Sequence, residues 1–151
     1  MIANQEERTR FGKSRRETVS RAAQAELRPK ERRFDPLEVL RAAAEGRVRQ
    51  LLPIKYGRMK VSPFAFFRGA VSIMAADLGR LPHSGLNVQL CGDAHVQNLG
   101  SFAAPDGSLV FDLNDFDESI RGPWEWDVKR MASSIVLAGA ASGHVLSLIN
   151  I

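Results

Sequence analysis

Between Cys91 and Ser119 the sequence runs CGDAHVQNLGSFAAPDGSLVFDLNDFDES, six carboxylates in a chain whose formal charge is +4. Pro105-Asp106-Gly107 in its middle is a strong turn signal, and the segments on either side have the composition of short strands. A hairpin returns the chain to its own start. Asp93 ahead of it and Asp112, Asp115 and Asp117 at its far end are therefore expected to converge. Converging carboxylates repel one another and raise their own pKa unless a cation neutralises them. A hard divalent ion is the natural solution, because Mg²⁺ takes one or two carboxylate oxygens, an amide carbonyl, and waters or phosphate oxygens. Asn98 can supply the amide oxygen. The plainer alternative is a pair of Asx-rich turns capping the strands.

The rest of the chain is expected to surround this stretch with helices. FDPLEVLRAAAEGRVRQLLP opens with Asp35 as N-cap, Pro36 at the first helical position and Glu38 three residues after the cap, and Pro53 is expected to close the helix. In SPFAFFRGAVSIMAADLGRL, Phe64, Phe67, Val71, Met74 and Leu78 recur at steps of three and four, one buried helical stripe. LNVQLC alternates as a short strand ending at Gly92-Asp93. Gly122-Pro123 is expected to start a last helix with Trp124, Val128, Met131 and Ile135 on one buried face. The order predicts an α+β fold, helices packed on a short strand and a β-hairpin.

Charge divides the chain. Residues 1–33 carry ten Lys/Arg and five Glu, while residues 91–130 carry eight Asp/Glu and three Lys/Arg. The sequence pI of 9.7 therefore belongs to the amino-terminal arm. Its cations alternate with Glu6, Glu7, Glu17, Glu26 and Glu31, and Phe11 is its only aromatic residue. That pattern predicts a solvated arm, flexible or partly helical, and argues against a nucleic-acid partner. A single cysteine, Cys91, precludes an intramolecular disulfide and suits a reducing compartment. No apolar run approaches the roughly 18 residues of a membrane span, and the start lacks the apolar core of a signal peptide. A cytoplasmic protein without membrane contact is expected.

The spacing sharpens the metal hypothesis. Asp93 and Asn98 are five apart, as in the kinase catalytic loop, where the Asp accepts the substrate hydroxyl proton and the Asn holds Mg²⁺. A hairpin follows, and then Asn114-Asp115-Phe116-Asp117 repeats the Asp-Phe order of the kinase metal loop. Gly92-Asp93-Ala94-His95-Val96-Gln97-Asn98 resembles the G-D-x-H-x-x-N loop of aminoglycoside and choline kinase-like phosphotransferases, with Cys91 where those proteins usually have histidine. Over a longer stretch, LPIKYGRMKVSPFAFFRGA, VQLCGDAHVQNLGSFAAPDGSLVFDLNDFDE and GPWEWDVKRMASS resemble the bacterial family known as domain of unknown function 2252, from about Arg15 to Gly139.

The resemblance implies a partial protein-kinase-like catalytic core, similar to a C-lobe, over residues 34–139. It implies Asp93 as catalytic base, with His95 bracing the loop or touching a phosphate. Asn98 and Asp115 would hold Mg²⁺, with Asp117 as a further ligand or support. The reaction implied is transfer of the ATP γ-phosphoryl to an unknown hydroxyl-bearing substrate. Arg58 and Arg68, just ahead of the catalytic strand, would meet phosphates or else form salt bridges with the acidic loops.

Two features depart from that pattern. None of the twelve glycines forms G-x-G-x-x-G, and Lys55 and Lys60 lie in no recognisable strand. In full-length relatives the Gly-rich loop and its lysine follow the catalytic segment, and residues 140–151 do not resemble that continuation. A truncated, inactive chain is the expectation, with the Trp124–Ile135 stripe left partly bare and favouring self-association. The alternatives are a non-catalytic binding module and a metal-dependent phosphohydrolase using the same carboxylates.

Overall fold

A computed structural model describes residues 4–144. Helix α1 (Gln5–Thr18) begins at a capping box in which Asn4 and Glu7 each accept the other's backbone N–H at 2.9 Å. It buries none of its residues. Helix α2 (Arg21–Ala25) follows, and the chain then docks on the body through Arg32, which donates to Asp77 at 2.9 Å. Arg80 also reaches Asp77 at 3.0 Å, so this buried carboxylate sits between two guanidiniums.

Helix α3 (Pro36–Ala42) starts where its cap requires, the Asp35 carboxylate accepting the N–H of Leu37 at 2.8 Å. It does not continue to Pro53. The chain turns at Gly46, whose φ of 75° is open to glycine at no steric cost, and Pro53 falls in the first turn of α4 (Leu52–Met59). A proline there loses nothing, because the first-turn N–H groups have no helical acceptor. Pro53 opens a helix instead of closing one.

The predicted stripe from Phe64 to Leu78 is split into α5 (Pro63–Gly69) and α6 (Val71–Leu78) by a non-helical Ala70. Leu40, Met59, Ala70 and Ile73 form the core cluster, backed by Phe34, Val39 and Tyr56. A side chain at Gly69 would begin 2.5 Å from Met59 Cγ, so glycine is what lets α4 and α5 close on each other. Burying each large side chain of this cluster stabilises the fold by about 1.5–3 kcal/mol.

Two small antiparallel sheets follow, one nested in the other. β1 (Asn87–Leu90) pairs with β4 (Ile120–Pro123), Leu90 opposite Ile120 and Asn87 opposite Pro123. Between them β2 (Leu99–Ala103) and β3 (Leu109–Leu113) make the predicted hairpin, Leu99 opposite Leu113. Its turn is held by Ala104, which donates to Ser108 at 2.8 Å, and by Gly107 at φ 84°. Gly122-Pro123 therefore ends a strand, and the last helix, α7 (Glu125–Ala141), begins two residues later. The architecture is α+β: seven helices and two antiparallel pairs among the described residues.

Helix α7 turns a different face inward from the one expected. Trp124, Val128 and Ile135 are 41%, 52% and 42% exposed, whereas Glu125, Arg130 and Ser134 are buried. Trp124 is thus not a core residue. The cause lies in the loop that α7 covers, whose backbone N–H groups need acceptors that an apolar face cannot offer. No helix among the described residues is long and apolar enough to cross a membrane.

Candidate active site

Beyond Leu90 the chain leaves β1 as the loop Cys91–Asn98, and α7 holds it by its backbone. Asp127 accepts the N–H of Cys91 at 2.7 Å on one oxygen and that of Gly92 at 3.1 Å on the other. Ser134, fully buried, accepts the N–H of Val96 at 3.1 Å. Gly92 has φ 87°, and a Cβ there would lie 2.0 Å from the carbonyl oxygen of Glu118. The first acidic loop and the second are in backbone contact at this glycine, and no other residue fits.

Two further bonds join the loops. The Cys91 thiol donates to the carbonyl of Asp115 at 3.0 Å, and Asn114 donates its N–H to the carbonyl of Asn98, also at 3.0 Å. Burial pushes the Cys91 thiol up, with the carboxylates of Asp127, Asp93 and Asp115 adding to the effect, so it remains protonated and serves as a tie. The hairpin thus brings the Asp93–Asn98 loop and the Asn114–Asp117 loop side by side.

Asp93 is neutralised by protein. Arg130, 2% exposed, donates from Nε to its Oδ1 at 2.7 Å, from Nη2 to the carbonyl of Phe67 at 3.0 Å, and stacks 4.1 Å from the centre of the Phe67 ring. The other carboxylate oxygen, Oδ2, faces His95 Nε2 at 3.7 Å. His95 is 1% exposed, and its Nδ1 accepts the N–H of Gln97 at 3.2 Å. Donors thus approach both ring nitrogens, Gln97 N–H at Nδ1 and the Arg68 guanidinium at Nε2, while the Asp93 carboxylate also faces Nε2. Arg68 Nε stands 3.4 Å from that same Nε2 and supplies positive charge at the mouth of the loop. Burial lowers the His95 pKa, Asp93 opposes the shift, and Arg68 and Arg130 reinforce it.

The residues expected to hold Mg²⁺ form a set of hard oxygens. Asn98 is buried and commits its amide nitrogen to the carbonyl of Asp93 at 3.0 Å, which leaves Oδ1 as the atom available to a ligand. The Asp115 carboxylate accepts only the N–H of Asp117, at 3.2 Å, and neither it nor the Asp117 carboxylate forms an ion pair among the described residues. These oxygens are of the hard type that Mg²⁺ takes, and Mg²⁺ needs few protein ligands; the backbone bond from Asn114 to Asn98 brings the two loops together, with Asp115 and Asp117 exposed. Among the described residues no three His, Cys, Asp or Glu side chains gather into a cage, so the donor set depends on Asn98. Asp112 takes no part: its Oδ1 turns back to the N–H of Leu113 at 2.7 Å.

Gly92, Asp117 and Arg130 also border a cavity of about 670 Å³ between the acidic loops and helices α4 to α7. Lys55, Arg68 and Trp126 line it as well. Burial and the nearby Arg47 push the Lys55 ammonium down, while Glu118 pulls it up. Arg58 is exposed, does not border this cavity, and its side chain makes no hydrogen bond among the described residues. Of the two arginines expected near phosphate, the fold brings only Arg68 to the loop, and it contacts His95 instead of pairing with the acidic segments.

Asp127, Arg130 and Ser134 are the residues that sequence reasoning passed over. Asp127 counts among the surface charges of a helix until the loop above it is seen. Their spacing of three and four marks a polar stripe at helical period, the one signal that could have exposed them.

No curated protein and no solved structure matches the chain. The family model described as "Uncharacterized protein conserved in bacteria", domain of unknown function 2252, matches residues 47–147, well over half of the chain and the whole of this site. The chain belongs to that family.

Proposed function

We propose that this chain carries the catalytic and metal loops of a kinase-like phosphotransferase, which moves the γ-phosphoryl of ATP to the hydroxyl of an acceptor. The observation that carries the reading is the double role of Asn98. Its amide nitrogen closes the loop on Asp93 and its carbonyl receives Asn114, so one residue links the proposed base to the proposed metal carboxylate. The nesting of the β2–β3 hairpin between β1 and β4 supports a C-lobe-like arrangement, since it sets the two loops at the same end of both sheets.

In this reading Asp93 Oδ2, the oxygen not taken by Arg130, receives the acceptor hydroxyl. The hydroxyl oxygen bonds to the γ-phosphorus as the bridging bond to the β-phosphate breaks, and the hydroxyl proton passes to Asp93 while ADP departs. Arg130 holds the carboxylate in place, and the His95 ring packs beside it. Arg68 offers a guanidinium to the phosphate oxygens. Mg²⁺ on Asn98 and Asp115, with Asp117 adjacent, supplies charge neutralisation of the phosphates when bound. Such a reaction also needs a Gly-rich loop over the phosphates and a lysine on their oxygens, and none of the twelve glycines here forms G-x-G-x-x-G.

One observation favours a second, non-catalytic reading as a binding module: the buried Arg130 fully engages one oxygen of Asp93. Turnover separates the two. In a family member that also carries a Gly-rich loop, γ-labelled ATP is offered with a panel of hydroxyl acceptors. The proposal expects transfer that falls at least about a hundredfold in the equivalent of Asp93→Asn with metal binding retained. Transfer unchanged by that substitution contradicts it, and ATP binding without transfer supports the module.

A further inference from the structure

A second cavity, of about 550 Å³, lies between helices α1 and α2 of the arm and the start of α7. Its arm-side wall follows one helical face, since Thr9, Gly12, Lys13 and Arg16 recur at steps of three, one and three, and Arg15 and Arg21 border the cavity with them. Lys13, Arg16 and Arg21 are exposed, and Arg15 is half-buried with its guanidinium 4.7 Å from the centre of the Phe11 ring. None of the four cations forms an ion pair among the described residues. Glu17 follows Lys13 by four positions, a spacing at which helical ion pairs form, yet no such pair is made. The acids that alternate with these cations along α1, Glu6, Glu7 and Glu17, all lie off this wall.

Glu125 is the one carboxylate that borders the cavity, and it is 3% exposed. Its Oε1 accepts the N–H of Ser84 at 2.7 Å and Gln24 Nε2 at 3.2 Å, so it offsets one of the four positive charges from behind the wall. Like charges gathered on one concave surface repel each other and focus a positive field into it, which an entering anion relieves. Two phosphate groups at about −1.5 each match the remaining excess of three positive charges. Three of the four cations are arginines, whose forked donors fit phosphate oxygens in pairs. Gly12 adds a steric observation. Glycine inside a helix costs about 1 kcal/mol relative to alanine, and a Cβ there would meet nothing within 4 Å, so no packing contact requires it. The absent side chain leaves open space on the wall that carries the cations.

We propose that this cavity binds a diphosphate, free or carried by a small molecule, with Lys13, Arg15, Arg16 and Arg21 around the anion and Gly12 leaving room for it. The site is independent of the phosphoryl-transfer chemistry and is tested without divalent metal. Calorimetric titration of the full chain uses inorganic pyrophosphate and uridine diphosphate as probes, with sulfate at matched ionic strength as the control. Saturable binding of at least one diphosphate at one site per chain is expected, at least about tenfold tighter than sulfate. Tighter binding of uridine diphosphate identifies a carried diphosphate, its organic part against Leu86 and Trp124 on the facing wall, and tighter binding of pyrophosphate identifies the free ion. Arg16→Gln removes an exposed charge and is expected to weaken binding about tenfold, the scale of one charge-assisted hydrogen bond. Gly12→Leu keeps every charge but fills the open space, and is also expected to weaken binding at least about tenfold; leucine favours a helix more than glycine does, so that loss would not come from unfolding. Failure of both diphosphates to bind wild type, sulfate binding as tightly as they do, or wild-type affinity in either variant overturns the proposal.

Discussion

The side-chain amide nitrogen of Asn98 donates to the backbone carbonyl of Asp93 at 3.0 Å, and this bond decides which atom of Asn98 can meet a ligand. Asn98→Asp keeps the shape but sets a carboxylate oxygen against a carbonyl in a buried place. We expect a loss of about 1–3 kcal/mol, the penalty for an unserved buried acceptor, measured as a lower urea midpoint at unchanged slope. Unaltered stability would mean that the amide does not close the loop.

Arg130 is the strongest single support of the loop, since it meets Asp93, the carbonyl of Phe67 and the Phe67 ring together. Arg130→Met strands Asp93 and is expected to cost about 3–5 kcal/mol in equilibrium unfolding. Arg130→Lys recovers only part of this, because a point charge cannot occupy all three positions. Adding Asp93→Asn to Arg130→Met is expected to cost less than the two single losses combined. Additivity would show that the pair is not coupled.

Gly92→Ala tests the contact between the two acidic loops. The new Cβ would meet Glu118 at 2.0 Å, on a backbone already at φ 87°. Something must shift, and the strained conformation alone costs about 1–3 kcal/mol. Hydrogen exchange is the direct readout: the amides of Cys91 and Gly92, now held by Asp127, are expected to exchange faster. The same substitution at Gly107, where a Cβ meets nothing within 4 Å, is expected to leave those amides protected.

Acid pH should weaken the fold through His95. Its folded pKa is lowered by burial, so the unfolded chain takes up the proton more readily. The stability it contributes is complete above the ordinary histidine pKa of about 6.5 and is lost as pH falls from there through the folded value. A series of melts across this range is expected to show that decline in wild type and a shallower one in His95→Gln. Equal slopes would remove His95 as the cause.

The hairpin and the α3 start were legible because each rests on local chemistry. Pro105-Asp106-Gly107 admits few conformations, and Asp35 ahead of Pro36 satisfies a helix start with atoms two residues apart. Pro53 was misplaced for a related reason: proline forbids a helix interior but suits a first turn, and only the turn at Gly46 decides between them. What could not be read depended on distant partners. Asp93 finds Arg130 across 37 positions, and Cys91 finds Asp127 across 36. Apolar spacing assigned α7 its inner face, but the backbone N–H groups of the loop required a polar one. The metal residues were named from motif order, whereas the meeting of their two loops rests on the bonds from Asn114 to Asn98 and from Cys91 to Asp115.

The measurement that bears most directly on the account is a titration of the chain with Mn²⁺, a paramagnetic stand-in for Mg²⁺, followed by electron paramagnetic resonance. Loss of free-ion signal at one site per chain, reversed by excess Mg²⁺ and abolished in both Asp115→Asn and Asn98→Ala, is the predicted result. A free-ion signal undiminished by wild type, or binding that survives both substitutions, would contradict it.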